Sequence, residues 1–155
     1  MLSIVKNLGH ECKLEKVEMN PKNMKHFFDR YPEMFPKNRS IRESLLCFGL
    51  MCYDGWFDLI DSLCNYTYKM CKNNGWKIQE VVEVKEKYGT LRFYTLGMDA
   101  NAFDSIEGAI SFAEFQSDTI CEDCGRKGRL RSNIPWWRTL CDPCLAKWKK
   151  EKKIK

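Results

Sequence analysis

The chain has 155 residues, 44% of them hydrophobic and 30% charged, with a formal net charge of +5. This composition supports a packed core and excludes a disordered or fibrous chain, and the length suits one ordinary domain with a small appendage. The longest apolar run, residues 45–53, falls far short of the ~20 residues that span a bilayer. Residues 1–10 also lack the long apolar stretch and small-residue cleavage site of an export signal, so the expectation is a soluble protein, not obviously secreted, with no membrane partner.

Residues 1–20 mix apolar and charged positions without a clear period and read as a strand or an irregular arm. Asn20-Pro21 then has the chemistry of a helix start, Asn20 as N-cap and Pro21 in the first turn. Met24, Phe27, Phe28 and Tyr31 give that helix an apolar face, and Pro32 and Pro36 end it. Residues 44–53 fit a buried strand or a short helix. Asp54 stands where it could cap a long helix, in which Trp56, Ile60, Leu63, Thr67 and Met70 recur every three or four residues, with Phe57, Leu59 and Cys64 widening the stripe. Gly75, after Asn73-Asn74, suits a left-handed C-cap.

Residues 76–96 read as a β-hairpin. Val82 and Val84 alternate with charged neighbours, Leu91, Phe93 and Thr95 alternate with Arg92, Tyr94 and Leu96, and Glu86-Lys87-Tyr88-Gly89 supplies the turn. One face is then aliphatic and the other carries Lys85, Arg92 and Tyr94. Residues 99–117 follow as a second long helix with Phe103, Ile106, Ile110 and Ala113 on its apolar face. Two longer helices packed on a small antiparallel hairpin make an α+β body over residues 1–118.

Residues 119–155 have a different character. Cys121-x₂-Cys124 and Cys141-x₂-Cys144 are separated by sixteen residues. Two such pairs at this spacing predict one structural zinc ion, because each turn aims two thiolates at one point and two turns complete a tetrahedron. Four sulfurs leave no open coordination position, which makes the site structural rather than catalytic. Gly125 permits the tight first knuckle, and Asp142-Pro143 opens a helix on the second pair. Knuckle, hairpin and cysteine-bearing helix together resemble a treble-clef or zinc-ribbon arrangement. The other five of the nine cysteines, Cys12, Cys47, Cys52, Cys64 and Cys71, lie in or beside apolar segments and read as reduced, buried small hydrophobes.

The basic charge belongs to this module. Residues 121–155 hold eleven Lys/Arg against four Asp/Glu, whereas residues 1–120 are net −2. Arg126, Lys127, Arg129, Arg131 and Arg138 surround Trp136-Trp137, a mixture of cations and aromatic rings suited to phosphates and bases, and the C-terminal lysines extend it. The hairpin contributes a second candidate set, Lys85, Lys87, Tyr88, Arg92 and Tyr94, able to hold an anion between charge and ring faces. Asp54, Asp58 and Asp61 share one helix face, most simply as exposed acids near a helix N-terminus. With only His10 and His26 in the chain, an HNH-type nuclease, a histidine triad and a zinc deaminase all lack their chemistry.

Four segments in order, residues 52–60 (CYDGWFDLI), 85–94 (KEKYGTLRFY), 120–125 (ICEDCG) and 140–144 (LCDPC), resemble a family of small uncharacterised proteins encoded by bacteriophages and prophages. The likeness spans roughly residues 24–146. It implies a protein of the bacterial host cytoplasm and makes interference with host defence a reasonable role, but carries no established activity. The reading is a non-enzymatic zinc-containing binding protein that engages a host protein or an anionic ligand, a nucleotide or nucleic acid. The alternatives are an enzyme on a nucleotide or phosphorylated substrate, built from the Asp54/Asp58/Asp61 face with Lys87 and Arg92, and an assembly subunit of a phage complex.

Overall fold

The computed structural model describes residues 18–153, so the expectations for the N-terminal arm, Cys12, His10 and the last two residues lie outside the described residues. Helix α1 (Pro21–Arg30) begins as its sequence predicts: the Asn20 side chain accepts from the Asn23 N–H at 3.0 Å, and Pro21 sits in the first turn. Asp54 does not cap the long helix. That helix, α2 (Phe57–Asn74), is preceded by a short 3₁₀ turn, Asp54–Trp56, and has no side-chain cap. The Asp54 carboxylate turns back instead. Its Oδ1 accepts from Asn20 N–H (3.0 Å), Asn20 Nδ2 (2.7 Å) and Asn23 Nδ2 (3.0 Å). An acid thus pins the start of a helix 31–34 residues before it, where the helix dipole favours negative charge.

This bond set carries a prediction. Asp54→Ala should cost about 2 kcal/mol, the scale of charge-assisted hydrogen bonds, because it removes three at once. Asp58→Ala, on the exposed face of α2, should cost less than about 1 kcal/mol. Urea melts of the two variants check the difference.

Asp61 completes the tie between α1 and α2. His26 Nε2 lies 2.8 Å from its Oδ1, the Tyr31 hydroxyl donates to the same atom at 2.9 Å, and Arg30 Nη1 reaches Oδ2 at 3.3 Å. Burial and this hydrogen bond to a carboxylate push the Tyr31 phenol well above its usual range, which keeps it a donor. Gly75 ends α2 in the left-handed conformation at φ 67°.

Strands β1 (Glu80–Lys87) and β2 (Thr90–Leu96) pair antiparallel, with an irregularity between Val81 and Glu83. Val81, Val84, Leu91 and Phe93 face inward. They share one core with Ile60, Leu63 and Cys64 of α2 and with Ile106, Ile110 and Ala113 of α3 (Phe103–Gln116). Cys71, rather than Met70, ends the buried stripe of α2, and Phe103 is exposed instead of joining the core. Residues 44–53 are neither a strand nor a helix throughout. They make a short 3₁₀ turn, Leu46–Phe48, and then run along the free edge of β1 through Leu45 N–H to Val82 O, Met51 N–H to Val84 O and Glu86 N–H to Met51 O. The other edge is covered by side chains: Leu91 N–H donates to Ser117 Oγ and Phe93 N–H to Glu114 Oε1. A two-stranded ribbon is marginal alone, and these contacts supply what a third strand would.

Cys52, Cys64 and Cys71 are buried as expected; Cys47 is exposed, on the outer side of its turn. Burial holds the Cys52 and Cys64 thiols well above the usual thiol range, so both are inert.

A second, smaller core contains Cys121, Ile134, Leu140, Cys141 and Trp148. It is built by β3 (Arg129–Arg131) and β4 (Arg138–Leu140), an antiparallel pair, and by α4 (Asp142–Glu151). The architecture is therefore α+β, with four α-helices and two two-stranded antiparallel sheets among the described residues. No helix among them is long and apolar enough to cross a membrane.

Candidate metal centre and the cleft beside it

The first cysteine pair sits on a backbone knuckle. Gly125 N–H donates to Cys121 O at 2.8 Å and Gly125 takes φ 73°, a conformation that favours glycine. Cys121 N–H donates to Arg126 O at 2.7 Å and closes the loop. The second pair is placed by α4: Cys141 is its N-cap residue, Pro143 lies in the first turn, and Cys144 is one turn along. The four sulfurs all lie within 4.8 Å of one another and could hold a metal ion. Cys124 Sγ and Cys141 Sγ are 3.7 Å apart, far beyond the ~2.05 Å of a disulfide. Cys121 and Cys141 are buried, Cys144 partly so, and Cys124 is exposed.

The electrostatics favour thiolate at the exposed corner. Burial opposes ionisation there, but Arg126 Nε, 3.4 Å from Cys124 Sγ, and a backbone N–H pull the thiol down to about 6. Arg126 is thus a cation bound to sulfur.

The module is locked to the body at several points. Gly55 N–H donates to Glu122 O (2.8 Å), Trp56 Nε1 to Ile120 O (2.9 Å), and Thr139 Oγ1 to Gly89 O (2.7 Å). Arg138 is central to this joint. Its guanidinium stacks on the Tyr53 ring, 4.3 Å from the centroid, and donates to Glu122 Oε1 (3.0 Å) and Asp123 Oδ1 (2.6 Å). Burial pushes the Glu122 carboxyl up to about 8 against the pull of that guanidinium, and Glu122 Oε2 is buried without a hydrogen-bond partner in the structure.

The eleven candidate ligand-contacting residues therefore separate. Arg138 and Arg131 are buried and spent inside the module, Arg131 on Leu140 O and on Asp142. Arg126 serves the sulfurs, and Arg129 reaches Asp142 at 3.2 Å. Lys127 is exposed on the knuckle, bridged to Ile120 through its backbone. On the outer face of the hairpin Lys85 pairs across from Arg92 and lies over the Tyr94 ring, while the Arg92 guanidinium donates to Thr90 Oγ1 and Leu91 O. Among the described residues no hydrogen bond or ion pair links Asp54 or Asp61 to Lys87 or Arg92; both acids face α1.

Lys87, Tyr88 and Trp136 come together. With Glu86, Pro135 and Trp137 they line a cleft of about 700 Å³ between the hairpin turn and the β3–β4 loop. Tyr88 and Trp137 meet edge to face at 6.1 Å, and Lys87 Nζ lies 5.7 Å from the centre of the Tyr88 ring. Trp136 Nε1 approaches Glu86 Oε2 at 3.4 Å, while Glu86 Oε1 accepts from Gly89 N–H at 2.6 Å. All three aromatic rings are exposed. Glu86 and Pro135 had no place among the sequence candidates. Only the fold joins two turns about 50 residues apart.

The turn itself is unusual. Tyr88 and Gly89 both have positive φ, 55° and 76°, as a type I′ turn requires. Glycine accepts this freely, and asparagine or aspartate is the common first residue. A tyrosine there costs about 1 kcal/mol. No protein-family model, curated protein or solved structure matches this chain.

Proposed function

We propose that this is a zinc-stabilised, non-enzymatic binding protein whose aromatic cleft takes the bases of a single-stranded nucleic acid. The observation that carries the reading is Tyr88. The chain accepts a strained backbone to keep an exposed ring at the mouth of a cleft with two exposed tryptophans. Strain at a ring that the core does not use points to a ligand that does. Bases stack on such rings regardless of sequence, and Lys87 at the rim offers a counter-charge to phosphate.

Zinc is supported by the donor set. Four thiolates suit zinc, and Zn–S bonds near 2.3 Å put tetrahedral sulfurs about 3.8 Å apart, close to the 3.7 Å between Cys124 and Cys141. The order of knuckle, β3–β4 hairpin and α4 supports a treble-clef reading. The ion would be structural: it would stiffen the loop that carries Trp136 and Trp137. On the motif resemblance, the protein belongs in a phage or prophage context in the bacterial cytoplasm, where capture of single strands would interfere with host processes.

Fluorescence titration with short oligothymidylate and oligouridylate at low salt tests the reading. Quenching of tryptophan emission that weakens with added salt is expected. Tyr88→Asn should relax the turn and raise stability by about 1 kcal/mol while weakening binding about tenfold; Trp136→Ala should weaken binding by a similar factor without the gain in stability. Absence of binding by the wild-type protein to either oligonucleotide at low salt would sink the proposal.

A further inference from the structure

We infer that the outer face of α3 and the groove between α2 and α3 form a symmetric interface with a second copy of this chain. The groove, about 590 Å³, runs along the flank of α3, between Leu59, Leu63 and Tyr66 of α2 and Gly108, Ala109 and Phe112 of α3, with the buried Ala113 among its lining.

Two features of α3 are unaccounted for by the fold. The first is its outer surface. Asp104, Ser105, Gly108, Ser111, Phe112 and Phe115 are all exposed, only one of them is charged, and two are phenylalanines. A helix that buries an apolar face and also exposes two large rings on the outside has a place for a second neighbour. The second feature is Gly108. It lies mid-helix, where glycine weakens the helix relative to alanine, and a Cβ there would meet nothing within 4 Å. Nothing within the chain requires a glycine, whereas a helix laid across this point could approach closely only if the side chain is absent.

Area and charge select the occupant. Phe112, Phe115 and Tyr66 are 63%, 70% and 55% exposed. At about 200 Å² per aromatic side chain they leave on the order of 400 Å² of apolar surface. A standard interface takes about 800 Å² from each partner, of which roughly 60% is apolar, so this patch with the groove floor supplies what one side needs. A two-fold axis at Gly108 crosses two copies of α3 antiparallel and sets each Phe112 toward its partner's groove. The same axis places the two Asp104 carboxylates about 12 Å apart, four residues to either side at 1.5 Å each, beyond one screening length at physiological salt. Each copy gives a ring and receives one, so the contact closes at two copies.

Sedimentation equilibrium in reductant, from low to high micromolar protein, tests this. The expected result is a monomer–dimer equilibrium that stops at two. Phe112→Asp should remain monomeric throughout with an unchanged far-UV spectrum. Gly108→Ala should raise the melting temperature of the dilute monomer yet weaken dimerisation at least tenfold. If Phe112→Asp does not fold, Ser105→Arg, exposed on the same face, reads the same question. A wild-type monomer at every concentration, growth beyond two copies, or a dimer that survives the folded variant would each overturn the inference.

Discussion

Cys121→Ser is expected to abolish stoichiometric metal binding and to unfold the C-terminal module. Cys121 is the most enclosed of the four cysteines, with 0% of its surface exposed, and its backbone closes the knuckle through Arg126 O and Gly125 N–H. A serine hydroxyl is a far poorer ligand than a thiolate. Structural zinc contributes an apparent ~10–16 kcal/mol to small zinc domains at neutral pH. Losing even a third of that, about 3–5 kcal/mol, approaches the ~5–15 kcal/mol that holds a whole domain together. The module has little else to stand on: three-residue strands and a five-residue apolar cluster that already counts two of the cysteines. Cys47→Ser, at an exposed thiol outside the cluster, should bind metal normally and shift stability by less than about 0.5 kcal/mol. Metal titration and thermal melts of the two variants check this.

Gly55→Ala is expected to be the most damaging glycine substitution among the described residues. A Cβ at Gly55 would stand 2.6 Å from both the Glu122 carbonyl carbon and oxygen, and closer still to the Cys121 carbonyl oxygen. All are backbone atoms, so no side chain can swing aside. Gly125 faces it from the module, its own Cβ position 3.1 Å from Gly55 O. The two glycines let the chain segments touch backbone to backbone, and the Gly55 N–H to Glu122 O bond depends on that approach. Overpacking typically costs ~1–3 kcal/mol where neighbours can give, so a backbone clash should cost about 3 kcal/mol or more. Gly75→Ala is the comparison. It places a side chain at φ 67° in open space, for about 1–2 kcal/mol of conformational strain alone. The metal separates the two effects of the joint: Gly55→Ala should melt earlier yet still bind metal, because all four cysteine side chains are retained.

What the sequence disclosed was whatever is local. The period of α2, the left-handed Gly75, the alternation in β2 and the spacing of the cysteine pairs each depend on residues within one turn or one knuckle, and each has its counterpart in the structure. What it concealed depends on distance. Asp54 has the right chemistry for a cap and serves a different helix, because Asn20 and Asn23 reach it across the fold. Arg131 and Arg138 look like free cations in a basic stretch, but Asp142 and Asp123 pair with them internally and Glu122 accepts a further hydrogen bond from Arg138. Much of the apparent positive charge of the module is therefore structural. The aromatic cleft was half visible: Tyr88 and Trp136 stood out as candidates, but nothing in the chain said that they line one cleft. Phe103 has the helical spacing of a core residue, yet it is exposed while Ala102 beside it is fully buried, a choice that periodicity alone does not mark.

The cysteine centre is the claim on which the rest of the functional reading leans, since the loop bearing Trp136 and Trp137 is held between β3 and β4 of that module. Native mass spectrometry of the purified protein, with elemental analysis of the same sample, measures it directly. One zinc ion per chain, lost on treatment with a strong chelator together with the module's folded signal, is the expected result. A chain that is fully folded with no bound metal, or one carrying a Cys121–Cys144 or Cys124–Cys141 disulfide in its place, would contradict it.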